Sequence, residues 1–290
     1  MFDRISRSFQ LARASWNVLY SDKKLVIFPI LSGLGVLLVM ASFIGPLIGL
    51  QMAGKIDLDP EANNGQLPWW VYLVIFGFYF ANYFVIIFCN SALVSCAILR
   101  FNGEEPTLGD GFGAAAARLP QILAWTLVSA TVGLILKAIE NAHEKVGEFI
   151  SAILGTAWTV VTFFVIPVLV VEKLGPFAAI SRSVALLKKT WGEALVGNFG
   201  LGLFKFLLLL PGVALLVAGG AVAGAVKPVA LGIALIVLGV LLLLGAAAIG
   251  AALDTIFLSA LYQYAAFDKV PNGFDRQSIE EAFVQKKKSA

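Results

Sequence analysis

The sequence predicts an all-α polytopic membrane protein: six transmembrane helices arranged as three hairpins, each preceded by a cytoplasmic amphipathic helix. Three observations carry this expectation. Of 290 residues, 59% are hydrophobic and 13% are charged, whereas a soluble domain carries about 25% charged residues. Six apolar runs, roughly 25–50, 69–99, 119–138, 150–171, 195–225 and 229–253, are each long enough to cross a hydrocarbon core about 30 Å thick at about 1.5 Å per residue. A basic segment occurs twice, RSFQLARASW from Arg7 to Trp16 and RSVALLKKTW from Arg182 to Trp191, each time ahead of a hairpin.

The first run extends from near Leu25 to about Leu50, far beyond the h-region of a signal peptide, so the N-terminus is expected to be retained. Pro29, Pro46 and Pro211 fall inside apolar runs and are candidate kinks, tolerated where neighbouring groups satisfy the freed carbonyls. Sidedness follows from Lys and Arg. The segments 1–24, 100–118, 172–194 and 254–290 hold sixteen basic residues, and the intervening loops 51–68, 137–149 and 225–228 hold four. Both termini are therefore expected in the cytoplasm. Trp16, Trp69, Trp70, Trp191, Tyr262 and Tyr264 stand near run ends, where an aromatic belt belongs.

The duplicated segment is more extensive than its core. At an offset of 175, Phe2, Ile5, Ser6, Arg7, Ser8, Leu11 and Trp16 recur as Phe177, Ile180, Ser181, Arg182, Ser183, Leu186 and Trp191. On a helix, Phe2, Ile5, Phe9, Ala12 and Trp16 share an arc of about 80°, as do Phe177, Ile180, Val184, Leu187 and Trp191. Arg182 and Lys189 lie opposite. Such helices suit a cytoplasmic membrane interface rich in anionic lipid. Leu11 and Leu186, on the otherwise polar face, suggest the alternative: docking on the protein's own helix ends or on a partner. A weaker third copy is PTLGDGFGAAAARLPQ, with Leu108, Phe112, Ala115 and Leu119 in helical register and Thr107 and Asp110 at its start. Three units result, 1–99, 104–171 and 176–267, forming one membrane domain over 1–267 with a cytoplasmic tail over 268–290. Duplication and shared physical constraint both account for the likeness.

Polar residues within the runs are the candidates for chemistry, because charge at that depth is costly. Lys205 and Asp254 fall in the same half of the last two runs, so they can form an ion pair; alternatively Lys205 snorkels to the headgroups. Asn82 and Asn90, with Ser91, Thr156, Thr159 and Thr162, suggest a polar path, against the simpler reading that they bond within or between helices. Gly220 with Gly224, and Gly245 with Gly250, suggest close packing of the last two spans or homodimerisation.

Elsewhere the sequence offers no catalytic set, cofactor motif or metal site. Cys89 and Cys96, i and i+7 on one helix, are too far apart for a disulfide between them. The single histidine, His143, stands with Glu140, Glu144 and Glu148 on a solvated face, and Asp57, Asp59 and Glu61 occupy a solvated loop. No phosphate-binding loop or dinucleotide fingerprint is present, and nothing suggests nucleic acid. The tail carries a Pro-Asn-Gly turn, a capping box at Ser278 and Glu281, and Lys286 to Lys288 at a polybasic end.

The stretch VIPVLVVEKLGPFAAISRSVALLKKTWGE, Val165 to Glu193, together with EEPTLGDGF and LYQYA, resembles an uncharacterised family of bacterial six-span integral membrane proteins. That family is itself similar to the membrane domain of some glycerophosphodiester phosphodiesterases. The resemblance implies a bacterial inner-membrane location and no activity, since the phosphodiesterase catalytic module, rich in metal-binding acids and histidines, is missing. The expectation is a non-enzymatic membrane-organising protein or accessory subunit, contacting the bilayer and its anionic lipids and assembling with itself or a membrane partner. The alternative is a transporter or channel for a small solute or lipid, with Lys205, Asp254 and Asn82 on its path.

Overall fold

The computed structural model describes residues 2–54, 56, 68–142, 144–225 and 229–274, with side chains throughout except at 2–11, 144–145, 190–200 and 225. The loop acids Asp57, Asp59 and Glu61, together with His143 and the tail beyond residue 274, lie outside the described residues. Those described form helices and turns, without strands: α1 Phe2–Ser21, a 3-10 turn Lys23–Val26, α2 Ile27–Met52, α3 Trp69–Phe101, α4 Leu108–Ala116, α5 Leu119–Ala142, α6 Glu144–Val161, α7 Val165–Val171, α8 Pro176–Ala225 and α9 Val229–Phe267. Six stretches are long and apolar enough to span a membrane: Lys23–Met52, Trp69–Phe101, Leu119–Ala142, Val146–Val171, Leu201–Gly224 and Val229–Phe267. The chain is an all-α, multi-pass membrane protein.

Prolines set several boundaries through one mechanism: the ring excludes the carbonyl four residues earlier. Pro120 thereby ends α4 at Ala116, and Pro167 separates α6 from α7. Pro29 sits in the first turn of α2, where no intrahelical donor is needed, after the Asp22 carboxylate has accepted the Lys24 N–H at 3.3 Å. Pro46 and Pro211 lie inside helices that continue past them.

One boundary differs from the sequence expectation. The second basic segment is no separate helix, because α8 runs unbroken for 50 residues. Between Trp191 and Phe199 the sequence has glycines but no proline, and a glycine costs a helix only about 1 kcal/mol. Likewise α9 continues to Phe267, beyond the apolar run that ends near residue 253.

Two compact units interleave along the chain: Met1–Pro29 with Cys96–Thr107 and Leu186–Ala290, and Ile30–Ser95 with Leu108–Ala185. In the first, Ala12, Ser15, Val18 and Leu19 form the buried face of α1, which packs on α9. Leu253, Ile256, Phe257, Leu261 and Tyr262 of α9 are buried as well. Tyr262 therefore belongs to the protein core rather than to an aromatic belt, packed edge-on against Phe267 at 5.9 Å. Earlier in α9, Leu231, Leu238, Leu241 and Leu244 are exposed, as a lipid-facing surface requires. The chain after α9 folds back on the end of α3: Phe274 meets Phe101 edge-on at 5.9 Å, and the Lys269 ammonium donates to Asn102 Oδ1 at 2.7 Å.

Within the same unit, α8 and α9 approach through glycine. A Cβ on Gly219 would lie 2.8 Å from the Gly232 carbonyl oxygen, one on Gly232 2.6 Å from the Ala223 nitrogen, and one on Gly212 3.2 Å from the Gly239 carbonyl oxygen. Gly212 and Gly219, like Gly232 and Gly239, are seven residues apart, the repeat of a left-handed helix pair. The sequence named Gly220, Gly224, Gly245 and Gly250 for this contact; Gly250 does lie against Lys205 of α8, but the other three face open space. The correction has a simple cause: a GxxxG spacing shows that small residues share a face, and does not show which way that face turns.

In the second unit α5 and α6 form a hairpin, with Trp125 stacked on Trp158 at 5.6 Å and the Ser151 hydroxyl donating to the Leu136 carbonyl at 3.0 Å. Phe112 of α4 stacks on Phe88 of α3 at 6.0 Å. α7 is almost wholly enclosed.

The glycine contacts predict opposite effects for two similar changes. Gly232→Ala is expected to destabilise by about 1–3 kcal/mol, through overpacking against backbone, and to lower the unfolding temperature in detergent. Gly220→Ala, which meets nothing, is expected to leave that temperature unchanged or raise it slightly. Equal losses for both would discredit the packing assignment.

Candidate functional site

Two polar constellations are set within apolar surroundings. The first is built on the break at Pro167. Because the helix cannot pass through Phe163 undisturbed, the ladder tightens: Phe163 N–H reaches the Val160 carbonyl at 3.3 Å and Val165 N–H the Thr162 carbonyl at 3.0 Å. The Phe164 N–H instead donates to the Ser183 hydroxyl oxygen on α8 at 3.0 Å. Both residues are completely buried. An unmet N–H there has no water to turn to, and would cost about 1–3 kcal/mol.

At the other end of α7, Glu172 accepts from Arg182 Nε through both carboxylate oxygens, at 3.0 and 2.9 Å. Arg118, between α4 and α5, donates from Nε to the Val170 carbonyl at 3.3 Å. The Arg182-Ser183 pair of the duplicated segment thus holds both ends of α7 against α8. The same copy places Leu186 and Leu187 among buried residues, and Lys189 donates to the Ala265 carbonyl at 3.1 Å, near the C-terminus of α9.

In the first copy, Ala12 is fully buried and Trp16 meets Phe204 with ring centroids 5.5 Å apart. Ala12 and Leu187 hold equivalent positions, and both are covered by protein. The side chains of Arg7 and Trp191 lie outside the described residues.

The second constellation joins Lys205 of α8 to Asp254 of α9. The ammonium donates to Oδ1 at 2.9 Å and to Oδ2 at 2.8 Å. Its alkyl stem lies across α9 one turn earlier, at Gly250, where a Cβ would stand 3.0 Å from Lys205 Cδ. A side chain at 250 would crowd this stem, which would have to shift by a few tenths of an ångström.

The remaining sequence candidates are not brought together. Asn82 donates to the Phe78 carbonyl of its own helix at 2.8 Å, while Asn90 is half-buried farther along α3. Thr156, Thr159 and Thr162 donate to the carbonyls of Ala152, Gly155 and Trp158, each four residues back and at 2.7 to 2.9 Å. Cys89 and Cys96 are buried and not joined in a disulfide, and the Cys96 thiol donates to the Thr107 carbonyl at 3.5 Å. Among the described residues no group of three His, Cys, Asp or Glu is placed to hold a metal ion.

The Ser183 contact and the lysine stem beside Gly250 escaped sequence reasoning. Pro167 inside an apolar run was the available signal for the first, since a proline there frees backbone groups that something must meet. The partner, nineteen residues away on another helix, has no signature in the sequence.

Substitution at this break has a defined expectation. Ser183→Ala leaves the Phe164 N–H unmet and is expected to lower stability by about 1–3 kcal/mol. Adding Pro167→Ala should recover part of that loss, by letting the helix run on and use the donor itself. Thermal unfolding of the single and double variants measures both, and full additivity would disprove the coupling.

Residues 70–272 match the model of a family described as a family of unknown function, DUF6159. The match names no phosphodiesterase relative, and neither a curated protein nor a solved structure matches the chain.

Proposed function

We propose, for a chain that belongs to DUF6159, a family of unknown function, that it acts as a non-enzymatic, membrane-organising protein or accessory subunit. One observation carries this reading: most of the described intramembrane polar side chains are engaged by the protein itself, across helices or within one, the buried Ser91 Oγ being an exception. Lys205 and Asp254 neutralise each other, and Asn82, Thr156, Thr159 and Thr162 bond to carbonyls of their own or the adjoining turn. A conducting or transporting path keeps polar groups available to its cargo.

The excess of Lys and Arg in alternate loops supports a cytoplasmic location for both termini, and the resemblance of Val165 to Glu193 supports a bacterial inner membrane. On that same resemblance, the chain would be the counterpart of a phosphodiesterase membrane domain. Its surroundings are the bilayer with anionic lipid on the cytoplasmic face, and a second copy or another membrane protein as partner.

Variants of the ion pair separate this role from transport. Lys205→Ala and Asp254→Ala are each expected to reduce yield and unfolding temperature, because each strands a charge in an apolar setting. Exchanging the two residues should restore much of both. Liposomes holding the wild-type protein should show no ion, solute or lipid flux above protein-free liposomes. Flux that Asp254→Ala abolishes while the protein accumulates normally would establish the transporter instead.

A further inference from the structure

The end of α1, the end of α3 and the chain after α9 meet in the first unit, and the backbone there is shaped to leave space. Gly103 and Gly273 adopt φ of +88° and +91°, which side chains rarely allow. A Cβ on Gly273 would also stand 3.0 Å from Val18. Two adjoining hollows of about 320 Å³ each open at this junction and share Ser21 and Arg100. Asn17 and Asn272 help to line one, and Lys23, Lys24, Asp22 and Glu105 the other.

Three cations and two carboxylates therefore converge, which leaves an excess of one positive charge. Asp22 is buried and its oxygen accepts the Lys24 backbone N–H. The Glu105 side chain is 89% exposed and only 4.0 Å from Arg100 at its nearest. The contacts of the Arg100 guanidinium among the described residues are long, the other being 3.4 Å to the Glu104 carbonyl. Its planar fork of donors is thus available to a ligand. Lys23 stands 5.2 Å over the Tyr20 ring, which steadies the ammonium at the rim.

We infer that this junction binds a phosphate group, supplied by the headgroup of an anionic lipid. A guanidinium fork beside two ammoniums, with amide groups from Asn17 and Asn272, matches a tetrahedral anion with several acceptor oxygens; the Ser21 hydroxyl lines the hollow but gives its proton to the Val18 carbonyl at 2.8 Å. The source follows from position. Lys23 and Lys24 open one span and Arg100 closes the antiparallel next one, so all three cations stand at the same end, where phosphodiesters are concentrated. The inference rests on the proposed membrane role only in setting these helix ends at headgroup depth.

Full-length protein in neutral detergent, offered dioleoylphosphatidylglycerol or dioleoylphosphatidylcholine and followed by native mass spectrometry, tests the site. The anionic lipid is expected to be retained preferentially, and Arg100→Gln should weaken its retention about tenfold, the loss of one charge-assisted contact. The double change Lys23→Gln with Lys24→Gln alters exposed side chains only, and should weaken retention even if Arg100→Gln does not fold. Lys137→Gln, a charge paired with Glu140 away from the hollows, should leave retention unchanged. Equal losses for Lys137→Gln, or wild-type retention in the double lysine variant, would overturn the site. A parallel titration with inorganic phosphate separates the sources: stabilisation by phosphate that needs Arg100, with none by the lipid, would overturn the lipid assignment. Retention and unfolding temperature are read without any flux, so failure here is distinct from failure of the proposed role.

Discussion

Inside a bilayer, a backbone N–H or C=O that loses its intrahelical partner has no water to replace it, and this single constraint organises the rest of the chain. It favours helices for every span, and it means that a backbone group freed at a proline within a span is best met by a neighbour. At Pro167 the solution is explicit. The freed Phe164 N–H is met by Ser183, and Arg182 and Arg118 attend to the far end of the same short helix. The regular geometry of a helix is thus broken within this span, and two adjacent residues of α8 compensate for it.

Without a hydrophobic force to drive helices together in lipid, close approach has to come from shape and polar contact. Gly212, Gly219, Gly232 and Gly239 provide the shape between α8 and α9, with neighbouring backbone where a Cβ would be. Lys205 and Asp254 provide the polar contact, and Gly250 links the two devices by admitting the lysine stem. Charge that would be costly alone is tolerated because its partner is within reach.

Where the helices leave the most apolar stretches, the logic reverses and a water-style core forms. Tyr262, Leu253 and Phe257 of α9 are buried with Phe28 and Phe101, and α1 covers them with Ala12, Ser15 and Leu19. The duplicated basic segment belongs to this region. In its second copy Arg182, Ser183 and Lys189 each engage a protein group, and Leu186 and Leu187 are enclosed, Leu187 being the equivalent of Ala12 on the α1 core face. The segment therefore works as a helix clamp whose polar residues meet helix ends, while the cations at the end of α3 and the start of the first span remain open to an anion.

Much of the fold was legible in the amino-acid sequence, because lipid imposes a strong signal: runs of apolar residues long enough to cross it. The pairing of Lys205 with Asp254 could be posed as a geometric option from the register of two antiparallel spans. Other features were invisible for a physical reason. Which face a helix turns inward depends on its neighbours, so Gly220 and Gly224 read as a contact while Gly219 and Gly232 make it. Whether an amphipathic helix lies on lipid or on protein depends on what else is apolar nearby, and Tyr262 shows that an aromatic at a span end can be core. The sequence by itself determined that this chain is helical and spans a membrane many times. Only the tertiary structure decided which polar groups meet, because those meetings, Phe164 with Ser183 and Lys189 with Ala265, join residues whose separation along the chain carries no periodicity to read.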